Sequence, residues 1–236
     1  MQADSNRRKT LYPKGLLRHE DTNIMNSRRQ AHQNWGNSMD RRSFLEKGAI
    51  LIGAGAAAPA FSQGVGFDDS IQPSNLPEDF LPREVRTRND FAPNEIHVDP
   101  RQYALYWTLP KKKAIRYTVG IGRPGLYESG EFFIGAKKIW PSWTPTPSMI
   151  ERQPELFKQH ENGMPGGPNN PLGARALYLF QPGRGDTFLR IHGTNRPDTI
   201  GQRVSNGCAR LVNEQIIDLY NRVPQDTRVV LYPIPA

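Results

Sequence analysis

A chain of 236 residues, 36% of them hydrophobic, has room for one well-filled domain and a leader but not for two large domains. Its formal charge of +8 is uneven: residues 1–60 carry ten Lys or Arg against five Asp or Glu, and residues 61–236 carry 21 against 18, leaving +5 on the first stretch and +3 on the rest. So weak an excess argues against a nucleic-acid surface, which needs a dense basic stripe to neutralise phosphates, and it suits contact with an anionic envelope polymer without requiring one.

Residues 1–38 are polar, rich in Arg, Asn and Gln, and lack apolar periodicity, so they read as a disordered extension or as sequence ahead of a true start at Met39. Residues 39–60 have the form of a twin-arginine export signal. Arg41 and Arg42 lie in a charged opening, an uncharged run of 11 residues extends from Gly48 to Ala58, and Ala58-Pro59-Ala60 offers a cleavage site before Phe61. The run is well short of the roughly 20 residues a spanning helix needs, so no stable transmembrane anchor is expected. This pattern predicts export to the periplasm or cell envelope. Residues 61–94, dense in Pro, Asn, Asp and Glu, read as a linker or an extended arm lying on the domain, and residues 95–236 as the folded domain.

Within that domain Tyr103, Leu105 and Trp107 alternate, Pro110 and three lysines mark a turn, and Ile115, Tyr117, Val119 and Ile121 return with period two, which predicts a hairpin. Further strands are predicted at 131–139, 176–180, 187–192 and 228–232. Only 214–223 has helical spacing, with Ile216, Ile217, Leu219, Tyr220 and Val223 on one stripe and Asn213 placed to cap it. The fold class is mainly β with one or two short helices.

Two segments carry chemistry. Arg190-Ile191-His192-Gly193-Thr194 closes a predicted strand, and Ser205-Asn206-Gly207-Cys208-Ala209-Arg210 follows after a gap. Cys208 is the only cysteine, so no intramolecular disulfide is possible, and it is either an inert small hydrophobe or a nucleophile. A free thiol with a pKa of about 8.5 is mostly protonated at neutral pH, so a nucleophilic Cys208 needs a base. His192 suits that task, taking the thiol proton and later delivering it to a leaving amine. Gly207, lacking a Cβ, can aim its own amide and that of Cys208 at a developing oxyanion. Arg210 either holds a substrate carboxylate through its planar fork or fixes the loop by a salt bridge. Ser205 and Asn206 shape the loop by hydrogen bonding or touch substrate.

His97 and His160 lack a matching ligand set and read as structural or surface residues. No cluster has metal-ligand spacing, so neither metal nor cofactor is expected. Trp140 and Trp143 read as packing anchors, with lining of a cleft as the alternative. Gly120, Gly122 and Gly125 lack the βαβ context of a phosphate loop.

The two segments resemble the catalytic motif of the L,D-transpeptidase catalytic-domain family, in which a His-Gly pair at a strand end precedes Ser-x-Gly-Cys-x-Arg by a loop of about this length. The resemblance extends through Tyr117–Gly122, Trp140–Pro145 and Asn170–Tyr178, and so over residues 95–233. It implies a single β-sandwich or barrel domain. It also implies Cys208 as nucleophile, His192 as proton donor and acceptor, and the Gly193 backbone carbonyl as the group that orients His192. Many relatives carry a second His before the Gly-Cys pair. This chain has Asn206 there, which leaves proton transfer to His192. The implied substrates are peptidoglycan stem peptides, with a second stem or an envelope lipoprotein as acyl acceptor, and sensitivity to carbapenems is implied as well. The alternatives are an L,D-carboxypeptidase, an ordinary thiol endopeptidase or amidase, and a non-catalytic peptidoglycan-binding domain.

Overall fold

The structure, a computed structural model, describes residues 71, 73–88 and 91–234. The predicted extension, the export signal and the first part of the 61–94 stretch lie outside the described residues. The predicted hairpin is made by β3 (Ala104–Leu109) and β4 (Lys113–Thr118). Pro110, Lys111 and Lys112 turn it, the two lysines with left-handed φ of 62° and 56°. Leu105 faces Tyr117 and Trp107 faces Ile115 across the pair, and Leu105, Trp107 and Tyr117 enter the main core. The opposite face is not open to solvent. Ala104, Tyr106 and Ala114 form a second small core there, covered by Val85, Phe91 and Tyr232. Val85 belongs to β1 (Arg83–Arg86), which pairs antiparallel with β4.

The remaining strands are β2 (Ile96–Asp99), β5 (Ile121–Gly122), β6 (Gly130–Ile139), β7 (Arg175–Gln181), β8 (Gly185–His192), β9 (Arg203–Ser205), β10 (Ala209–Arg210) and β11 (Arg228–Leu231). Nine form one mixed sheet in the order β1-β4-β3-β2-β11-β6-β7-β8-β10, and β5 and β9 form a separate parallel pair. All the predicted strands are present, and the sheet curls until its two ends share one core, from Tyr117 and Val119 to Ile191 and Ala209. Beyond β4 the chain crosses to the far end of the sheet: Gly120 and Arg210 exchange backbone hydrogen bonds of 2.9 and 2.8 Å, and Ile121 N–H donates to Gln202 O at 2.9 Å.

Helix is confined to short pieces. α1 (Pro147–Arg152) and α2 (Pro154–Phe157) each start on a proline, and Thr146 Oγ1 caps the first by accepting from Met149 N–H. α3 (Asn213–Arg222) is the predicted amphipathic helix, with Ile216 and Leu219 fully buried. The Tyr117 hydroxyl donates to Asp218 Oδ2 at 2.5 Å. Lys137 Nζ donates to the carbonyls of Tyr220 and Val223 at 2.7 and 2.6 Å, satisfying orphan acceptors at the helix end. Asn213 does not cap α3 with its side chain. Its Oδ1 accepts instead from Ala174 N–H at 3.0 Å, a donor 39 positions away just ahead of β7. Among the described residues no helix is long and apolar enough to cross a membrane.

Candidate active site

Three segments distant in sequence meet where the curled sheet is stitched together. β8 and β10 run parallel with Arg210 opposite His192 and Ala209 opposite Ile191, so the loop entering β10 brings Cys208 against the backbone of Arg190. Beside it lies the turn after β5, where Arg123 N–H donates to Ser205 O at 3.0 Å. The result is a cleft of about 580 Å³ lined by Cys208, His192, Arg210, Asn206, Trp143 and Phe188 among others.

His192 is buried, and its Nδ1 lies 2.6 Å from the carbonyl oxygen of Gly193. A carbonyl only accepts, so Nδ1 carries the proton and Nε2 is left as the basic nitrogen. The His192-Gly193 peptide is itself held, because Leu211 N–H donates to His192 O at 2.9 Å and Gly193 N–H to Arg175 O at 3.0 Å. Asn213 completes this support. A Cβ at Gly173 or at Gly193 would lie 2.3 Å from its Oδ1, so both glycines are required for the close approach.

Burial pushes His192 down to about 3, with the Arg210 charge adding to the effect and the Gly193 carbonyl opposing it. Burial also raises the Cys208 thiol, against the Arg190 amide and the charges of Arg190 and Arg210. Desolvation penalises both charged forms, so the resting pair is a neutral thiol and a neutral imidazole.

The nucleophile loop is braced from within. The Ser205 hydroxyl donates to Cys208 O at 2.6 Å and accepts from Gly207 N–H at 3.3 Å. Gly207 has φ of 123°, and a Cβ there would stand 2.9 Å from Leu126 O and 3.2 Å from Leu189 Cδ2. Ser205 therefore shapes the loop, and its hydroxyl is committed there. Asn206 Oδ1 accepts from Arg123 Nη2 at 2.9 Å, and the same nitrogen donates to Gln153 Oε1 at 3.1 Å. Among the described residues Arg210 forms no salt bridge. Its Nε and Nη2 are buried without a hydrogen-bond partner, although its backbone stitches the sheet.

Sequence reasoning passed over Arg123 and read Asn213 only as a helix cap, because the partners of both lie far along the chain. It also passed over Phe188, which is 69% exposed on the cleft wall with φ of 63°, a left-handed conformation that a bulky residue rarely adopts. Only a register irregularity in β8, readable from the structure, marks it. Trp143 is half-buried and both packs and lines the cleft, its ring edge-on to Phe157 at 6.1 Å and to His160 at 5.9 Å. His97 is structural: it is buried, with Nδ1 2.9 Å from the Tyr232 hydroxyl and Nε2 3.1 Å from Glu95. No group of three or more His, Cys, Asp or Glu among the described residues is arranged to hold a metal ion.

A mainly β domain thus brings its single thiol and a tautomer-fixed imidazole into one cleft. Residues 93–231 match the family described as L,D-transpeptidase catalytic domain (YkuD), and the chain belongs to that family. It is 34% identical over 144 residues to the probable L,D-transpeptidase ErfK/SrfK of Escherichia coli, a match covering 60% of this chain and 44% of that protein. Against the probable L,D-transpeptidase YbiS of the same organism it is 33% identical over 184 residues, covering 73% and 58%. The chain thus spans about half the length of these curated relatives. A solved structure from Brucella melitensis, described as a probable carnitine operon oxidoreductase, is 43% identical with a TM-score of 0.46, covering 69% of this chain and 96% of that one.

Proposed function

We propose that the chain is a cysteine-dependent L,D-transpeptidase of the cell envelope, exported by the twin-arginine route signalled by Arg41 and Arg42, that acts on peptidoglycan tetrapeptide stems. The observation that carries this reading is that Cys208 and His192 line one cleft, with His192 Nδ1 tied to Gly193 O so that Nε2 is left as the basic nitrogen.

In this mechanism Nε2 of His192 takes the thiol proton as Cys208 Sγ attacks the carbonyl carbon after the L-centre of diaminopimelate. The neutral resting pair makes this general-base catalysis rather than attack by a preformed thiolate. The oxyanion takes hydrogen bonds from the Cys208 and Gly207 amides. Gly207 N–H meets Ser205 Oγ only at 3.3 Å, a long contact that a charged acceptor outcompetes. Collapse breaks the C–N bond, and the proton on His192 passes to the departing terminal D-Ala, leaving a Cys208 thioester. An incoming amine gives its proton to His192, forms the new amide and releases the thiol. A neighbouring stem as acceptor gives a 3-to-3 crosslink, and a lysine of an envelope lipoprotein gives protein attachment. Arg210 lines the same cleft, where its positive charge would favour a carboxylate of the stem.

The test incubates the full chain, beside Cys208→Ala, with purified disaccharide tetrapeptide and follows products by mass spectrometry. Cys208-dependent loss of D-Ala with dimer formation is the expected result. Loss without dimer points to L,D-carboxypeptidase action or a missing acceptor, and no reaction from folded protein counts against the transpeptidase reading and toward a non-catalytic peptidoglycan-binding domain.

A further inference from the structure

Arg123 binds the nucleophile loop twice, through its backbone N–H to Ser205 O at 3.0 Å and through Nη2 to Asn206 Oδ1 at 2.9 Å. A guanidinium donates hydrogen bonds and accepts none, so the Asn206 carboxamide is locked with its oxygen toward Arg123. Its NH2 group forms no hydrogen bond among the described residues, and Asn206 lines the cleft two positions before Cys208. Two nearby features keep Arg123 in place. The Gln153 side chain, at the junction of α1 and α2, accepts from the same Nη2. The turn that carries Arg123 is packed so tightly on the loop that a Cβ at Gly122 would stand 2.9 Å from Gly207 Cα.

From this geometry we infer that Asn206 is a hydrogen-bond donor to a peptide carbonyl of the acyl-donor stem, and that Arg123 is a positioning residue acting through Asn206 by fixing which end of the amide faces substrate. The inference rests on the stem-peptide reading of the site and adds to it the residue that presents the donor. An imidazole at this position would need a defined tautomer to donate into the cleft. A carboxamide needs only a fixed flip, and Arg123 supplies it. Asn206 therefore takes no part in proton transfer, and its contribution appears in binding of the stem rather than in the pH dependence of the reaction.

The test uses the inert full-length Cys208→Ala chain and measures the Kd of disaccharide tetrapeptide, so that turnover is not needed. Asn206→Asp keeps the shape and the Arg123 contact but replaces the donor with an acceptor, and is expected to weaken binding about tenfold, as loss of a neutral hydrogen bond with an unfavourable replacement does. Arg123→Gln, which can both donate and accept, frees the flip and is expected to weaken binding about threefold. In the combined variant the Arg123 change should add nothing beyond Asn206→Asp, which is the signature of a residue acting through another. Thermal unfolding of each variant separates this from loss of fold, and Asn206→Gln should rescue part of the affinity. An unchanged Kd in Asn206→Asp, or independent additive effects of the two changes, overturns the inference and leaves the transpeptidase reading standing. Failure of the parent Cys208→Ala chain to bind the stem at all overturns both.

Discussion

Alkylation of Cys208 by iodoacetamide, followed against pH, reports directly on how the resting pair is protonated. Burial holds the thiol above its ordinary value of 9.0, while burial and the Arg210 charge hold His192 near 3. A thiol titrating at 9 is about 1% thiolate at pH 7, and one titrating higher is less ionised still. The alkylation rate should therefore climb about tenfold per pH unit from pH 6 to pH 8, with no plateau in that range. A thiolate–imidazolium pair would behave differently, giving a flat rate from about pH 4 upward, because its thiol is already ionised there. His192→Gln, which keeps a donor for Gly193 O, should leave the alkylation profile nearly unchanged. It should nevertheless lower acyl transfer from a peptide by about 10²-fold or more, because only the amide substrate needs a base and an acid. Quenched time points read by mass spectrometry of the intact protein give the rates. A plateau below pH 7 that disappears in His192→Gln would refute the neutral-pair description and with it the general-base mechanism.

Gly207→Ala forces a Cβ against Leu126 O at a φ of 123° and should cost about 2–4 kcal/mol by urea unfolding, with activity lost even in the folded fraction; a cost below about 1 kcal/mol would show that the loop relaxes freely. Asn213→Ala leaves Ala174 N–H without its acceptor and should destabilise by about 2 kcal/mol, whereas Asn213→Asp keeps an acceptor and should cost much less; equal losses would mean that the contact is not the cause. Folded His192 and His97 both titrate below their ordinary 6.5, so the unfolded chain takes up protons that the folded one refuses. Stability should be complete above pH 6.5 and fall as pH drops below it, by up to about 1.4 kcal/mol per pH unit for each histidine. Urea midpoints at pH 7 and pH 5 check this, and equal midpoints would contradict it.

The parts of the fold that were legible in the sequence are those whose pattern is local. The 103–121 hairpin and strands β6, β7, β8 and β11 announce themselves by alternation and β-branched or aromatic content. Strands β5, β9 and β10, two or three residues long, have no period to read, since they exist only through their pairing. Alternation says nothing of the second face of β3, because whether Tyr106 meets solvent depends on Val85, Phe91 and Tyr232 arriving from elsewhere. Asn213 illustrates the same limit: its position suggests a helix cap, and a competing donor just ahead of β7, 39 positions away, takes the side chain instead. At the site, the types and spacing of His192, Gly207, Cys208 and Arg210 were readable because the chemistry restricts them. Arg123 was not, since its partner Asn206 lies 83 positions away and nothing nearby requires an arginine.

The exchange of backbone bonds between Gly120 and Arg210 has a bearing on when this protein becomes chemically competent. The strand leaving the first hairpin must reach across and engage the last catalytic segment before the thiol, its base and the guanidinium occupy one space. Until then the cysteine has neither a proton acceptor nor a wall around it. The stitch acts as an interlock: on the proposed mechanism a half-folded chain carries every reactive group and assembles none of them, so acyl transfer would wait on closure of the domain.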